Sequence, residues 1–208
     1  MSAASDVARV HAVEVERIRD GLWRWTAPHP DWDGNEGWER DVGCVYYEGP
    51  DAVVLVDPLV PAGEEDRFWE AFDRDVERAA RPVVVLRTVH WHQRSIDEVV
   101  ARYPGARFAN AESDPLPAGV EAHKAARDEM VFWIPEHGAL VPGDVLLGTD
   151  DGGVRPCPDS WLPEGTTGQD LRDSLRPLLE LPIELVLLSH GRPVLANGRD
   201  ALAAALGS

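Results

Sequence analysis

Lysine is almost missing from this 208-residue chain: Lys124 stands alone, and arginine supplies every other basic residue. Basic groups are scarce overall, 20 against 37 acidic ones, for a formal net charge of −17. So acidic a surface repels phosphate backbones, which argues against nucleic acid as a partner. Cysteine is scarce as well. Cys44 and Cys157 are too far apart in sequence to suggest a disulfide framework or a zinc knuckle. No run approaches the roughly 18 consecutive apolar residues of a membrane span. Residues 1–13 lack the basic-then-apolar order of a signal peptide. These absences lead us to expect a cytoplasmic protein that engages neither nucleic acid nor membrane. Low-complexity tracts and linkers are also lacking, so a single domain over residues 1–208 is expected, its 44% hydrophobic content being enough for a core.

What is present is a regular alternation of elements. Residues 13–18 and 22–25 flank Asp20-Gly21 and predict a β-hairpin. Residues 27–43 form a polar loop holding Trp32 and Trp38, either a lid over a site or a flap packed on the surface. Two strands are predicted at 44–48 and 52–57. Phe68, Trp69, Phe72 and Val76 then recur at helical spacing. Val83–Leu86, after Pro82, has the continuous apolar character of a strand buried on both faces. A short helix over 95–102 and a brief strand over 107–109 follow. In the second half, strands are expected at 130–134, 139–141, 145–147 and 185–188. Helices are expected at 169–179 and 200–206. Strands, then helix–strand alternation, then strands and helices again predict two sheets sandwiched between helices.

Three stretches place polar side chains just after buried strands, where sites in layered α/β folds collect. Thr88-Val89-His90-Trp91-His92-Gln93-Arg94-Ser95 carries two histidines whose imidazoles point the same way if the segment is extended. Pro142-Gly143-Asp144 puts a carboxylate beyond a strand, and Ser189-His190-Gly191 ends another strand in histidine. Singly, each is as readily a surface histidine, a turn or a cap; their order gives them weight.

That order resembles the metallo-β-lactamase superfamily from about residue 13 to the C-terminus. Its pattern is a strand ending in Asp, a His-x-His-x-Asp-His loop, a Gly-His loop, a Gly-Asp after a strand, and a late strand ending in His. Asp57 after 53–56, His90, His92, Asp144 and His190 match in the same order. The resemblance implies a four-layer αββα sandwich and a metal site at the sheet edges, with His90, His92, Asp144 and His190 as ligands. Arg94 and Ser95 stand where that loop has Asp and His, and the Gly-His loop has no counterpart. His123, or Glu129 in Arg127-Asp128-Glu129, is the nearest substitute, while His137 is expected to lie outside the site.

A fixed guanidinium where a second ion would sit opposes that ion. One divalent ion at most is therefore expected: zinc first, with iron or manganese as alternatives, or none. Arg94 is expected to point into the pocket and pair with Asp144 or with a bound anion. The resulting reading is a mononuclear metal-dependent hydrolase of a small ester, thioester or amide, with Asp144 and Arg94 in catalytic roles. A metal-free protein that binds a ligand or partner remains the alternative, as does a non-hydrolytic lyase or isomerase. Cys157 could be a nucleophile, but no base is visibly paired with it. Trp91, Trp161 and the tryptophans of 27–43 could line an aromatic pocket.

Overall fold

The computed structural model describes residues 14–35, 37–125 and 129–207. Val13, Arg127 and Asp128, named above, lie outside them. Six strands form the first sheet, in spatial order β1 (Glu14–Arg19), β2 (Leu22–Pro28), β3 (Asp41–Glu48), β4 (Val53–Val56), β5 (Val83–Leu86) and β6 (Arg107–Phe108). The first four are antiparallel neighbours joined directly. β4, β5 and β6 run parallel, because a helix intervenes each time: α1 (Glu65–Ala79), then α2 (Ile96–Arg102). The second sheet has the order β12 (Leu185–Val186), β9 (Ala139–Val141), β8 (Met130–Ile134), β7 (Glu121–Lys124). β9 and β12 are parallel, so both deliver their following loops to the same end. A ribbon of β10 (Leu146–Gly148) and β11 (Val154–Pro156) lies between β9 and α3 (Gly168–Leu175) in the chain, and α4 (Gly198–Leu206) closes it.

Period-two alternation sorts the side chains into layers. Tyr47, Val54, Val56 and Leu86 of the first sheet meet Phe132, Ile134, Val141 and Leu187 of the second. The outward residues Tyr46, Leu55 and Val85 pack with Trp69 and Phe72 of α1 and Ile96 and Val99 of α2. On the far side Trp133, Leu140 and Val186 meet Leu171 and Leu175 of α3 and Leu202 and Leu206 of α4. The result is the expected αββα sandwich. Among the described residues no helix is long and apolar enough to cross a membrane.

Local chemistry explains where elements stop. Thr167 caps α3 with a reciprocal box: its hydroxyl accepts from the Asp170 N–H at 3.2 Å while the Asp170 carboxylate accepts from the Thr167 N–H at 2.8 Å. α3 ends at Leu175 rather than at 179, since Pro177 has no N–H to continue the ladder. Residues Arg176–Glu180 tighten into a 3-10 turn. β7 and β11 went unanticipated; each is only three or four residues long and paired on one side.

Candidate metal site

The loop after β5 is a succession of turns, not an extended segment. The His92 N–H donates to the Val89 carbonyl at 3.0 Å, and the Ile96 N–H to that of Gln93 at 3.0 Å. In a turn, residues two apart diverge. His90 accordingly faces solvent with its ring edge-on to Trp91 at 4.6 Å, while His92 is buried. The expectation that both imidazoles reach one ion is thus corrected, and His90 stands outside the site.

His92 is held from behind. Its Nδ1 lies 2.9 Å from Asp57 Oδ2, at the end of β4, and 3.1 Å from Thr88 Oγ1. Asp57 also accepts from the Thr88 N–H at 2.9 Å and hydroxyl at 2.6 Å. Burial by itself would raise the Asp57 pKa, but His92, Arg94 and Thr88 outweigh it and hold the carboxyl below its usual range. Burial and Arg94 push the His92 imidazole down; the carboxylates of Asp57 and Asp144 push harder, up to about 9. The free edge of the ring, Nε2, faces Asp144 Oδ1 at 3.2 Å.

Asp144 follows β9 through Pro142 and Gly143. Gly143 has φ 60°, and a Cβ there would come within 2.6 Å of Thr88 Oγ1, so only glycine serves. The Asp144 N–H donates to the buried Glu129 carboxylate, and its Oδ2 accepts from the Trp91 indole at 2.9 Å. Burial opposes ionisation of Asp144, but His92 and His190 prevail and keep its carboxyl well below the usual range. Glu129 therefore anchors the Asp144 main chain instead of joining the donor group. His123, on the edge strand β7, is half-buried near Glu121 and also lies apart. His137 sits in a turn against the Tyr47 ring, outside the site as expected.

His190 brings its Nε2 to 3.3 Å from Asp144 Oδ1. The carbonyls around it are fixed one by one. Gly43 of β3 donates to Ser189 at 2.7 Å, and Gly148 donates to His190 itself at 2.9 Å. Arg24 of β2, buried between the sheets, donates from Nε and Nη2 to Leu188 at 3.3 and 3.1 Å and from Nη2 to Gly191 at 3.2 Å. Sequence reasoning passed over Arg24. The signal was there, a charged residue at the inward position of Leu22-Trp23-Arg24-Trp25, between two outward tryptophans.

Arg94 does not pair with Asp144, contrary to expectation. Its backbone is left-handed, φ 38°, which sends the guanidinium toward β3 and β4. There Nη1 donates to the carbonyls of Asp57 at 2.8 Å and Gly43 at 3.2 Å, while Nη2 lies 3.3 Å from His92 Nε2. Both thiols are buried. Burial pushes Cys44 up to about 11, and Cys157 packs in the core beneath α3 and α4. Around His92, Arg94, Asp144 and His190 opens a cleft of about 440 Å³, walled by Trp38, Trp91 and Trp161. Trp38 and Trp161 stand 5.2 and 6.1 Å from the His190 ring. Within 27–43, His29, Asp31, Gly37, Trp38 and Val42 line this cleft, and the Trp32 indole donates to the Trp38 carbonyl at 3.0 Å.

No protein-family model and no curated protein matches the sequence. Solved structures do match, along nearly the whole chain. One is the NDM_FIM-1-like metallo-β-lactamase from Erythrobacter litoralis in its mono-zinc form, with TM-score 0.63 and 14% identity over 97% of this chain and 98% of that one. Another is the DIM-1 metallo-β-lactamase, with TM-score 0.60 and 12% identity over 94% and 96%. A metallo-β-lactamase from Pontibacter korlensis superposes at TM-score 0.52 with 13% identity, over 94% and 99%. This chain has the metallo-β-lactamase fold. Identities this low carry the architecture and leave the chemistry to the residues present.

Among the described residues of this metallo-β-lactamase-fold chain, one group has the composition of a metal site: His92, Asp144 and His190, with one donor atom from each lying within 4.8 Å of the others. Bonds of about 2.0–2.1 Å in a tetrahedral zinc site place ligand atoms about 3.4 Å apart. The 3.2 and 3.3 Å edges at Asp144 Oδ1 are close to that. That oxygen is buried, near two ring nitrogens, yet accepts no well-directed hydrogen bond. Such an orphaned acceptor fits a cation. The donors suffice for one ion.

Proposed function

We propose that the cleft is the active site of a mononuclear metal-dependent hydrolase acting on a small ester, thioester or amide. The observation that carries this reading is the convergence of His92 Nε2, Asp144 Oδ1 and His190 Nε2. Two histidines and a carboxylate with an open position form a donor set suited to a catalytic zinc, with iron or manganese as alternatives. A bound ion would lower the pKa of a coordinated water to about 7 and polarise the scissile carbonyl.

The chain's own residues do the rest. Asp57 and Thr88 fix the His92 ring through Nδ1, leaving Nε2 for the cleft, as a partner behind a ligating histidine is expected to do. The Trp91 indole occupies Asp144 Oδ2, so that Oδ1 is the atom offered, and Asp144 is placed to orient the attacking water. Trp38, Trp91 and Trp161 give the cleft apolar walls, which lower the local dielectric around the charges they border.

One observation favours a second reading, a metal-free ligand-binding protein. His92 is already bracketed by Asp57 and Asp144, and Arg94 Nη2 lies beside the nitrogen an ion would use. Calorimetric titration of chelator-treated protein with zinc, then iron(II) and manganese(II), separates the two. We expect one ion per chain and turnover of nitrophenyl ester or thioester probes that disappears in Asp144→Ala. No binding of any of the three ions, or two tight ions per chain, overturns the hydrolase reading.

A further inference from the structure

Most of the charge in the cleft is already engaged. Asp144 faces two histidines and an indole, and Asp57 is bound behind His92. Asp31 stands at the mouth, exposed. Arg94 differs from these. Two main-chain carbonyls pin Nη1, whereas Nη2 has, among the described residues, His92 Nε2 at 3.3 Å as its polar neighbour. Each terminal nitrogen of a guanidinium carries two N–H groups, so a single neighbour leaves one of them over. Nη2 thus keeps hydrogen-bonding capacity for a group in the cleft, and among the described residues no other arginine or lysine lines it.

The walls around this cation are flat and apolar: the three indoles, Val42 and the His29 ring. The volume, about 440 Å³, falls in the range of small-molecule sites. An aromatic enclosure also suits quaternary ammonium ions, but a pinned guanidinium repels them. One nitrogen with donors to spare matches a singly charged carboxylate better than a phosphate, which calls for more donors.

We infer that the cleft binds a small carboxylic acid with a flat aromatic body, its carboxylate at Arg94 and its ring against Trp38, Trp91 and Trp161. The inference rests on this cleft being the active site proposed above, and makes the substrate an ester, thioester or amide that also bears a carboxylate.

Tryptophan fluorescence of the full-length, chelator-treated protein tests this, titrated with 1-naphthoate, 1-naphthamide and benzyltrimethylammonium. We expect naphthoate to bind at least tenfold more tightly than the isosteric amide, and the ammonium ion not at all. Arg94→Met should erase the preference for the acid and leave amide binding in place; Arg94→Lys should restore part of it. Arg94 also braces two strands, so melting curves accompany each variant. If Arg94→Met does not fold, the wild-type contrast between acid and amide decides the matter alone. Equal binding of acid and amide, tight binding of the ammonium ion, or an unchanged acid preference in folded Arg94→Met overturns the inference. The titrations contain no metal, so their outcome is independent of the hydrolase reading. Metal uptake without acid preference sinks this inference alone; acid preference without metal uptake sinks the hydrolase and the substrate drawn from it, and leaves the acid site standing.

Discussion

The two sheets contribute to the site in unlike ways. The first sheet offers the loop after β5, where the sequence holds its most conspicuous pattern, His90-Trp91-His92. Of its two histidines only His92 reaches the cleft, because the loop is a run of turns. The second sheet offers two isolated residues, Asp144 and His190, in the loops that follow β9 and β12. Both arrive, because β9 and β12 are parallel neighbours with their loops at one end, and every carbonyl from 188 to 191 is bonded. Residue spacing specifies geometry only once the backbone conformation is known. Position after a buried strand is the sturdier signal.

The sharpest way to break this comparison is to remove the second sheet's donors. Asp144→Ala or His190→Ala should weaken zinc binding at least 100-fold by competition against a chelating dye. A loss under threefold in either would mean the first sheet holds the ion without them. Next comes the brace between the sheets. Arg24→Met leaves the Leu188 and Gly191 carbonyls without their charged donor, and hydrogen bonds to charged groups contribute about 1.5–3 kcal/mol each. Urea unfolding should show a loss of about 3 kcal/mol, and the folded variant should bind zinc about tenfold more weakly. Unchanged zinc affinity would show that Arg24 supports the fold without positioning His190.

A third test concerns His92 in the metal-free protein. Its folded pKa, about 9, is above the ordinary 6.5, so protonation stabilises the fold. That contribution, up to about 3 kcal/mol, is fully present below about pH 6.5 and is lost as pH rises through 9. Melting temperature should therefore fall between pH 6.5 and 9 without zinc. With zinc the trend should reverse, because a ligating imidazole must be deprotonated. A metal-free melting temperature flat across that range would contradict the bracketing of His92 by two carboxylates. The smallest effect is expected at His90: His90→Ala should alter stability by no more than about 0.5 kcal/mol and leave zinc affinity unchanged. A tenfold loss of affinity there would restore the paired-histidine reading.

Much of the fold was legible because it rests on short-range pattern. Val83–Leu86 and the strand at Leu185–Val186 read as buried runs, α1 and α3 as stripes, and the order of these elements implied the layers. Asp144 and His190 were legible for the same reason, as termini of such runs. The left-handed turn at Arg94 was not, since nothing in Gln93-Arg94-Ser95 marks a positive φ. Arg24 escaped, and Glu129 was read as a candidate ligand instead of an anchor, because their partners are main-chain groups far along the chain, Leu188 and Gly191 for one and Asp144 for the other. No local pattern encodes a partner so distant.

Gly43 has a consequence for how the cleft responds to its occupants. Its N–H holds Ser189, beside His190, and its carbonyl holds Arg94. A methyl group there would strike the Leu188 carbonyl and lie 2.6 Å from Arg24 Nη2. One residue without a side chain thus stands between the candidate ligand His190 and the cleft's arginine. The two bonds sit on adjacent peptide planes, which gives a shift at either end a short route to the other. An ion and an acid bound together should therefore each alter the other's affinity by the same factor, since coupling between two binding events is reciprocal.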